Sequence, residues 1–287
     1  MTDTTTNDAL KTIELTAIDH LTADDSTPTP PAAARRYDFT ALSTAATCPR
    51  EYVFEHVLGL PGDLAPAGDA AAGPAGTPGH VTDPAQAVRE GQLFHTVVEQ
   101  CWPSDAPKSA WKDRAAAMAS TRGWHDALPR VETLVDAFFR SPASDWDVDS
   151  SRVEVPFSFT FEGREITGII DALPRRPDAG PLVLDHKTGR HEPAEEQLLI
   201  YLLATHHDED LPVDHSPTDA AFLRAEGREF RLDRLDITDI DETLARAREI
   251  LREWIEVADT ARADSPNSGS HCSSCSYHKM CDAADTR

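Results

Sequence analysis

A chain of 287 residues, 40% of them hydrophobic, is long enough to bury one sizeable core. No apolar run approaches the roughly 20 residues that span a bilayer, and the polar, acidic residues 1–25 do not read as a signal peptide, so a cytoplasmic protein with no membrane partner is expected. The formal net charge of -23, from 50 acidic and 27 basic residues, argues by itself against a nucleic-acid partner, which so acidic a surface repels.

Residues 1–36 lack hydrophobic periodicity and end in a Pro/Ala/Thr run, the composition of a disordered tail. A first helix is predicted from about Thr40, carrying Leu42, Ala45, Tyr52, Val53 and Val57. Residues 61–84, rich in Gly, Ala, Pro and Asp, read as a flexible insertion. Helix follows over 85–101, and more is expected within 108–140. From Arg152 the period changes to two: Val153, Val155, Phe157, Phe159 and Phe161 alternate with other residues, as in a half-buried strand. Gly163 marks a turn, and 165–173 is a second strand. A short apolar strand is predicted over 182–186, a helix over 195–205, and two strands over 220–224 and 229–235, joined at Gly227. An amphipathic helix spans 240–258, and 265–287 is a loop-like tail holding three of the five cysteines.

Gly168-Ile169-Ile170-Asp171 is followed fourteen residues later by Asp185-His186-Lys187. Asp185 and Lys187 are two apart and share one strand face, and Asp171 can converge from the neighbouring strand. Hard divalent cations take such oxygen ligands; a lysine beside them can offset charge on a phosphate. Alone, Asp185 and Lys187 read first as a surface salt bridge between strands. Gly91-Gln92-Leu93-Phe94-His95 lies on a helix that could supply a further ligand, and Gln197 and Tyr201, four apart, share one helix face.

In this order, His95, Asp171, Asp185-x-Lys187 and Gln197-x-x-x-Tyr201 resemble the RecB-like branch of the PD-(D/E)XK nucleases. The resemblance implies a mixed α/β (α+β) fold, with a restriction-endonuclease-like sheet flanked by helices over residues 37–287. It implies Mg²⁺ or Mn²⁺ on His95, Asp171, Asp185 and the His186 carbonyl, with Lys187 catalytic and Gln197 and Tyr201 positioning the DNA or the lysine. Ile170 stands where the family name has proline, a departure common in this branch. Glu154 reads as either a supporting group or an exposed strand residue; Arg190 and His191 read as phosphate contacts or a solvated loop.

Cys272, Cys275 and Cys281 form C-x2-C-x5-C, a metal-site spacing rather than a disulfide pattern in a cytosolic chain. Spacing alone admits zinc as well as an iron–sulfur cluster. The segment from Thr47-Cys48-Pro49-Arg50 to Leu58-Gly59-Leu60 resembles the one holding the first cluster cysteine in AddB-type nucleases, and CRISPR-associated RecB-like exonucleases share the arrangement. That implies a 4Fe–4S cluster on Cys48, Cys272, Cys275 and Cys281, stapling the tail to the N-terminal region. Cys101 reads as a buried core thiol.

Only five residues are lysine, and an acidic, lysine-poor surface resembles proteins of salt-loving archaea. Strong salt shortens electrostatic reach to about 3 Å at molar concentration, so the net charge does not forbid DNA. The expected activity is metal-dependent cleavage of DNA single strands or ends. No phosphate-cradling G-x-x-x-x-G-K-[ST] loop is present, so any helicase would be a separate partner. A non-catalytic iron–sulfur DNA-binding or scaffold subunit is the alternative; it has no need for Asp171, Asp185 and Lys187 together.

Overall fold

The alternating phenylalanines form a hairpin. Strands β2 (Val153–Phe161) and β3 (Arg164–Ala172) pair antiparallel, with the odd-numbered β2 residues inward. They join through Glu162 and Gly163, whose φ values of 48° and 77° make the two-residue turn that matches strand twist. Gly168 is obligatory for close packing: a Cβ there would meet the Phe157 ring at 2.5 Å.

The computed structural model describes residues 36–60, 62, 84–177, 179–189, 193–213, 215–273 and 275–281. The expectations for residues 1–35, for nearly all of 61–84, and for Arg190 and His191 lie outside the described residues. The chain runs β1 (Arg36–Asp38), α1 (Phe39–Thr47), α2 (Pro49–Tyr52) with a π-turn at Val53–Val57, α3 (Pro84–Cys101), α4 (Lys108–Arg122), α5 (Leu128–Phe138), the hairpin, β4 (Val183–Lys187), α6 (Glu195–His207), β5 (Ala220–Glu226), β6 (Glu229–Arg234) and α7 (Ile240–Thr260). The sheet order is β1-β3-β4-β5-β6, with β2 also on β3; β1–β3 and β4–β5 are parallel and the other pairs antiparallel. This is the expected mixed sheet.

Two cores flank it. Apolar residues of α1, α6 and α7 pack on one face with Val155, Ile170 and Val183. Those of α3, α4 and α5 pack on the other with Val153, Ala172 and Leu184. The hairpin therefore changes core between Val155 and Val153, and between Ile170 and Ala172. Glu154 sits at this crossover with φ 51°, in the left-handed region that costs a non-glycine residue about 1–3 kcal/mol.

Two expectations need correction. Arg36, the last residue of the supposed tail, opens β1. The first helix is not continuous: it stops at Cys48, whose backbone is extended, because Pro49 disfavours the helical conformation in the residue before it. Val57, placed on that helix's apolar face, is 60% exposed. Cys101 is buried in the second core, as read.

Candidate active site

Each cluster residue reaches the site for a local reason. β4 presents Asp185 and Lys187 to the α6 side and His186 to the α3 side, so one strand serves both layers. Lys187 Nζ lies 2.8 Å from Asp185 Oδ2. On α6, Gln197 accepts from Lys187 Nζ at 2.7 Å, and its amide donates to Asp185 Oδ1 at 2.8 Å and to the Tyr201 hydroxyl at 2.9 Å. One glutamine thus fixes the lysine, the aspartate and the tyrosine.

On the other side, the His186 N–H donates to Asp171 Oδ2 at 2.7 Å, joining the ends of β3 and β4. His95 Nε2 lies 3.1 Å from the His186 carbonyl, and Nδ1 lies 3.5 Å from Asp171 and 3.7 Å from Glu154. Gly91 of α3 faces the loop after β4, where a Cβ would meet the Thr188 Oγ1 at 3.1 Å. The His186 ring is buried against Phe94, Trp102 and Phe138.

Burial and charge act against each other here. Burial pushes Asp171 up, but His95 and the His186 contacts outweigh it and hold the carboxyl at about 2. Burial would lower His95, yet Asp171, Glu154 and Asp185 together raise it to about 9. Asp185 is pushed up to about 7, first by burial and then by the Asp171 charge, with Lys187 opposing. Burial lowers His186, keeping it neutral, and raises Tyr201, aided by Asp185.

Donor chemistry fits a hard divalent cation. His95, Glu154 and Asp171 offer ligand atoms within 4.8 Å of one another. Asp185 is buried, and its carboxylate is paired with Lys187 and Gln197. A cation would relieve the Asp171–Asp185 repulsion that burial leaves unscreened.

Glu154 is the participant the sequence reading left undecided. Its signal was present but weak: an acid one residue into a strand, at the register position opposite Asp171, with nothing in the sequence to announce its left-handed backbone.

The four cysteines also converge. Cys48, Cys272, Cys275 and Cys281 line one small cavity with His271 and His278. The Arg50 guanidinium lies 3.4 Å from Cys281 Sγ, and the Gly269 and Tyr277 N–H groups donate to Cys272 and Cys275 sulfurs at 3.3 and 3.4 Å. Burial pushes the Cys275 thiol up to about 12. All four are free of disulfides.

A mixed sheet between helical layers, with carboxylates, a histidine and a lysine converging at its strand ends, is a restriction-endonuclease-like core. The chain belongs to the PD-(D/E)XK nuclease superfamily, whose profile matches residues 38–282. Membership implies metal-dependent nuclease chemistry. No curated protein matches the chain in sequence. A solved structure titled "Crystal structure of SSO0001" aligns over 98% of this chain and 97% of its own at 15% identity, with a TM-score of 0.38, too low to carry an argument. No described helix is long and apolar enough to cross a membrane.

Proposed function

We propose that the chain is a RecB-like deoxyribonuclease that hydrolyses phosphodiester bonds at DNA single strands or ends, as an exonuclease. The observation that carries this reading is the Gln197 bridge, which locks Lys187, Asp185 and Tyr201 into one unit. A purely structural salt bridge between Lys187 and Asp185 has no use for two further polar partners. Mg²⁺ or Mn²⁺ is held by His95, Asp171, Asp185 and the His186 carbonyl, with Glu154 beside them. When bound, the ion supplies positive charge that polarises the phosphodiester and acidifies a water. Lys187, fixed by Gln197, orients that water and offsets charge on the phosphate, and the Gln197–Tyr201 pair positions the strand.

The cysteine cavity holds a 4Fe–4S cluster in this reading. Thiolate sulfur suits iron clusters. Tetrahedral zinc also accepts four cysteines, so iron content is the measurement that separates the two. The charge pattern fits a cytoplasm rich in salt, as in haloarchaea. A separate helicase would supply ends for processing in DNA repair and recombination or in CRISPR-associated pathways.

The test is a cleavage assay on end-labelled single- and double-stranded DNA in high KCl, with and without Mn²⁺. Metal-dependent shortening from an end is expected. No cleavage of either substrate in any salt would overturn the reading.

A further inference from the structure

Beside His95 and Glu154 opens a cavity of about 450 Å³, whose walls include Gln92, Thr96, Glu99 and Arg122. Nothing in the cluster described above uses Arg122. It is the last residue of α4, where Gly123 closes the helix with φ 69°. The chain then folds back: the Trp124 N–H donates to the Ala119 carbonyl at 2.8 Å, and the Trp124 ring centre lies 4.8 Å from the Arg122 guanidinium carbon. The turn is tied to α3 through Arg89, 2.5 Å from the Asp126 carboxylate, and Gln86, which donates to the Asp126 carbonyl at 3.2 Å. Arg122 is exposed and makes no ion pair or hydrogen bond among the described residues, in a chain with 50 acidic side chains. A guanidinium fixed by an aromatic face keeps its N–H edge open for a forked acceptor such as phosphate.

We propose that Arg122 and Gln92 bind the phosphate of a nucleotide next to the scissile one in single-stranded DNA, with Trp124 as a positioning residue that holds the guanidinium. The proposal rests on the nuclease reading above. The cavity has room for about one nucleotide and not for a duplex. Glu99 and Glu154 also line it and repel an anion. DNA therefore enters only when a divalent ion and Arg122 together outweigh them.

The experiment measures fluorescence anisotropy of a short labelled oligothymidine with the full chain carrying Lys187→Ala, in Ca²⁺, across a KCl series. Adding Arg122→Ala is expected to weaken binding about tenfold, the worth of one charge-assisted contact, and to reduce the salt slope by about 0.7, one phosphate's share for a single strand. Arg122→Lys restores the slope and only part of the affinity. Binding by the Lys187→Ala parent is lost without divalent ion. Parent-like affinity and slope in Arg122→Ala overturns the subsite while leaving the nuclease reading intact. Weaker binding with an unchanged slope and a lowered melting midpoint also overturns it, because the role is then structural. A wild-type chain that neither binds nor cuts oligothymidine overturns both readings.

Discussion

At the scale of single residues, Lys187 is the clearest chemical suspect. Its ammonium is held by Gln197 and Asp185, and the side chain remains part-exposed. Lys187→Ala is expected to abolish cleavage with melting and cluster absorbance unchanged; a rate within about tenfold of wild type, about 1.4 kcal/mol of barrier, would remove the assignment. His95 sets a pH dependence. Its pKa is raised from 6.5 to about 9, so the stability from its carboxylate partners is fully present below 6.5 and fades as pH rises through about 9. Asp171 runs the other way: held at about 2, it stabilises above its ordinary 3.8 and loses that contribution as pH falls through about 2. A metal needs the neutral imidazole, so ion uptake must displace the His95 proton. Calorimetric titration with Mn²⁺ should show proton release at neutral pH and an affinity that climbs towards pH 9. Glu154→Gln removes one of the groups that raise His95 and moves the climb to lower pH. An affinity flat across this range would exclude His95 as a ligand.

At the scale of elements, the two glycines govern how closely backbones approach. Gly168→Ala drives a Cβ into the buried Phe157 ring and should cost about 1–3 kcal/mol, visible as a melting midpoint lower by several degrees. Gly91→Ala meets only the tip of Thr188, so it should melt nearly as wild type while metal affinity falls, because α3 carries His95. An unchanged melt for Gly168→Ala would contradict the packing described for the hairpin. Elements with a clean period were legible in the sequence: the hairpin by its alternating phenylalanines, β4 by its apolar run, α7 by its amphipathic stripe. The motif residues were legible too, and the fold gathers them in two sets, His95 with Asp171 and Asp185 with Lys187, Gln197 and Tyr201, joined by the His186 N–H on Asp171. β1 was not, since three residues carry no period and owe their pairing to β3. Nor was the helix break, where a proline overrode an apolar pattern that continued past it. Glu154 and Arg122 needed tertiary structure, because their significance lies in which neighbours they face.

For the whole molecule, charge and the cysteine cavity matter most. At -23 the folded chain repels itself unless salt screens it, so the melting midpoint should rise from low to molar KCl; a midpoint that does not rise would remove the high-salt reading. Besides sharing the cysteine cavity, the tail makes direct contacts with the N-terminal segment. The Tyr277 hydroxyl donates to the Leu60 carbonyl at 2.9 Å, the Asn267 amide to the Thr47 carbonyl at 2.9 Å, and Phe54 and Tyr277 rings meet at 5.5 Å. Protein purified without oxygen should be brown, and zinc without iron on elemental analysis would replace the cluster with a zinc site. Cys275→Ala should lower melting and cleavage together if the proposed cluster is present, because its four cysteines would close a loop of more than two hundred residues. Wild-type melting with lost cleavage would instead place the cluster in catalysis or redox control.

Glu154 sets stability against activity. Its left-handed backbone would suit glycine, and its carboxylate stands 3.7 Å from His95 with a ligand oxygen within 4.8 Å of one on Asp171. Glu154→Gly should weaken metal uptake, and above about pH 9, where His95 is neutral and no ion pair is lost, relief of the backbone strain should raise the melting midpoint of the metal-free chain. If Glu154 supports the metal as proposed, the chain carries backbone strain at this position in exchange for metal uptake.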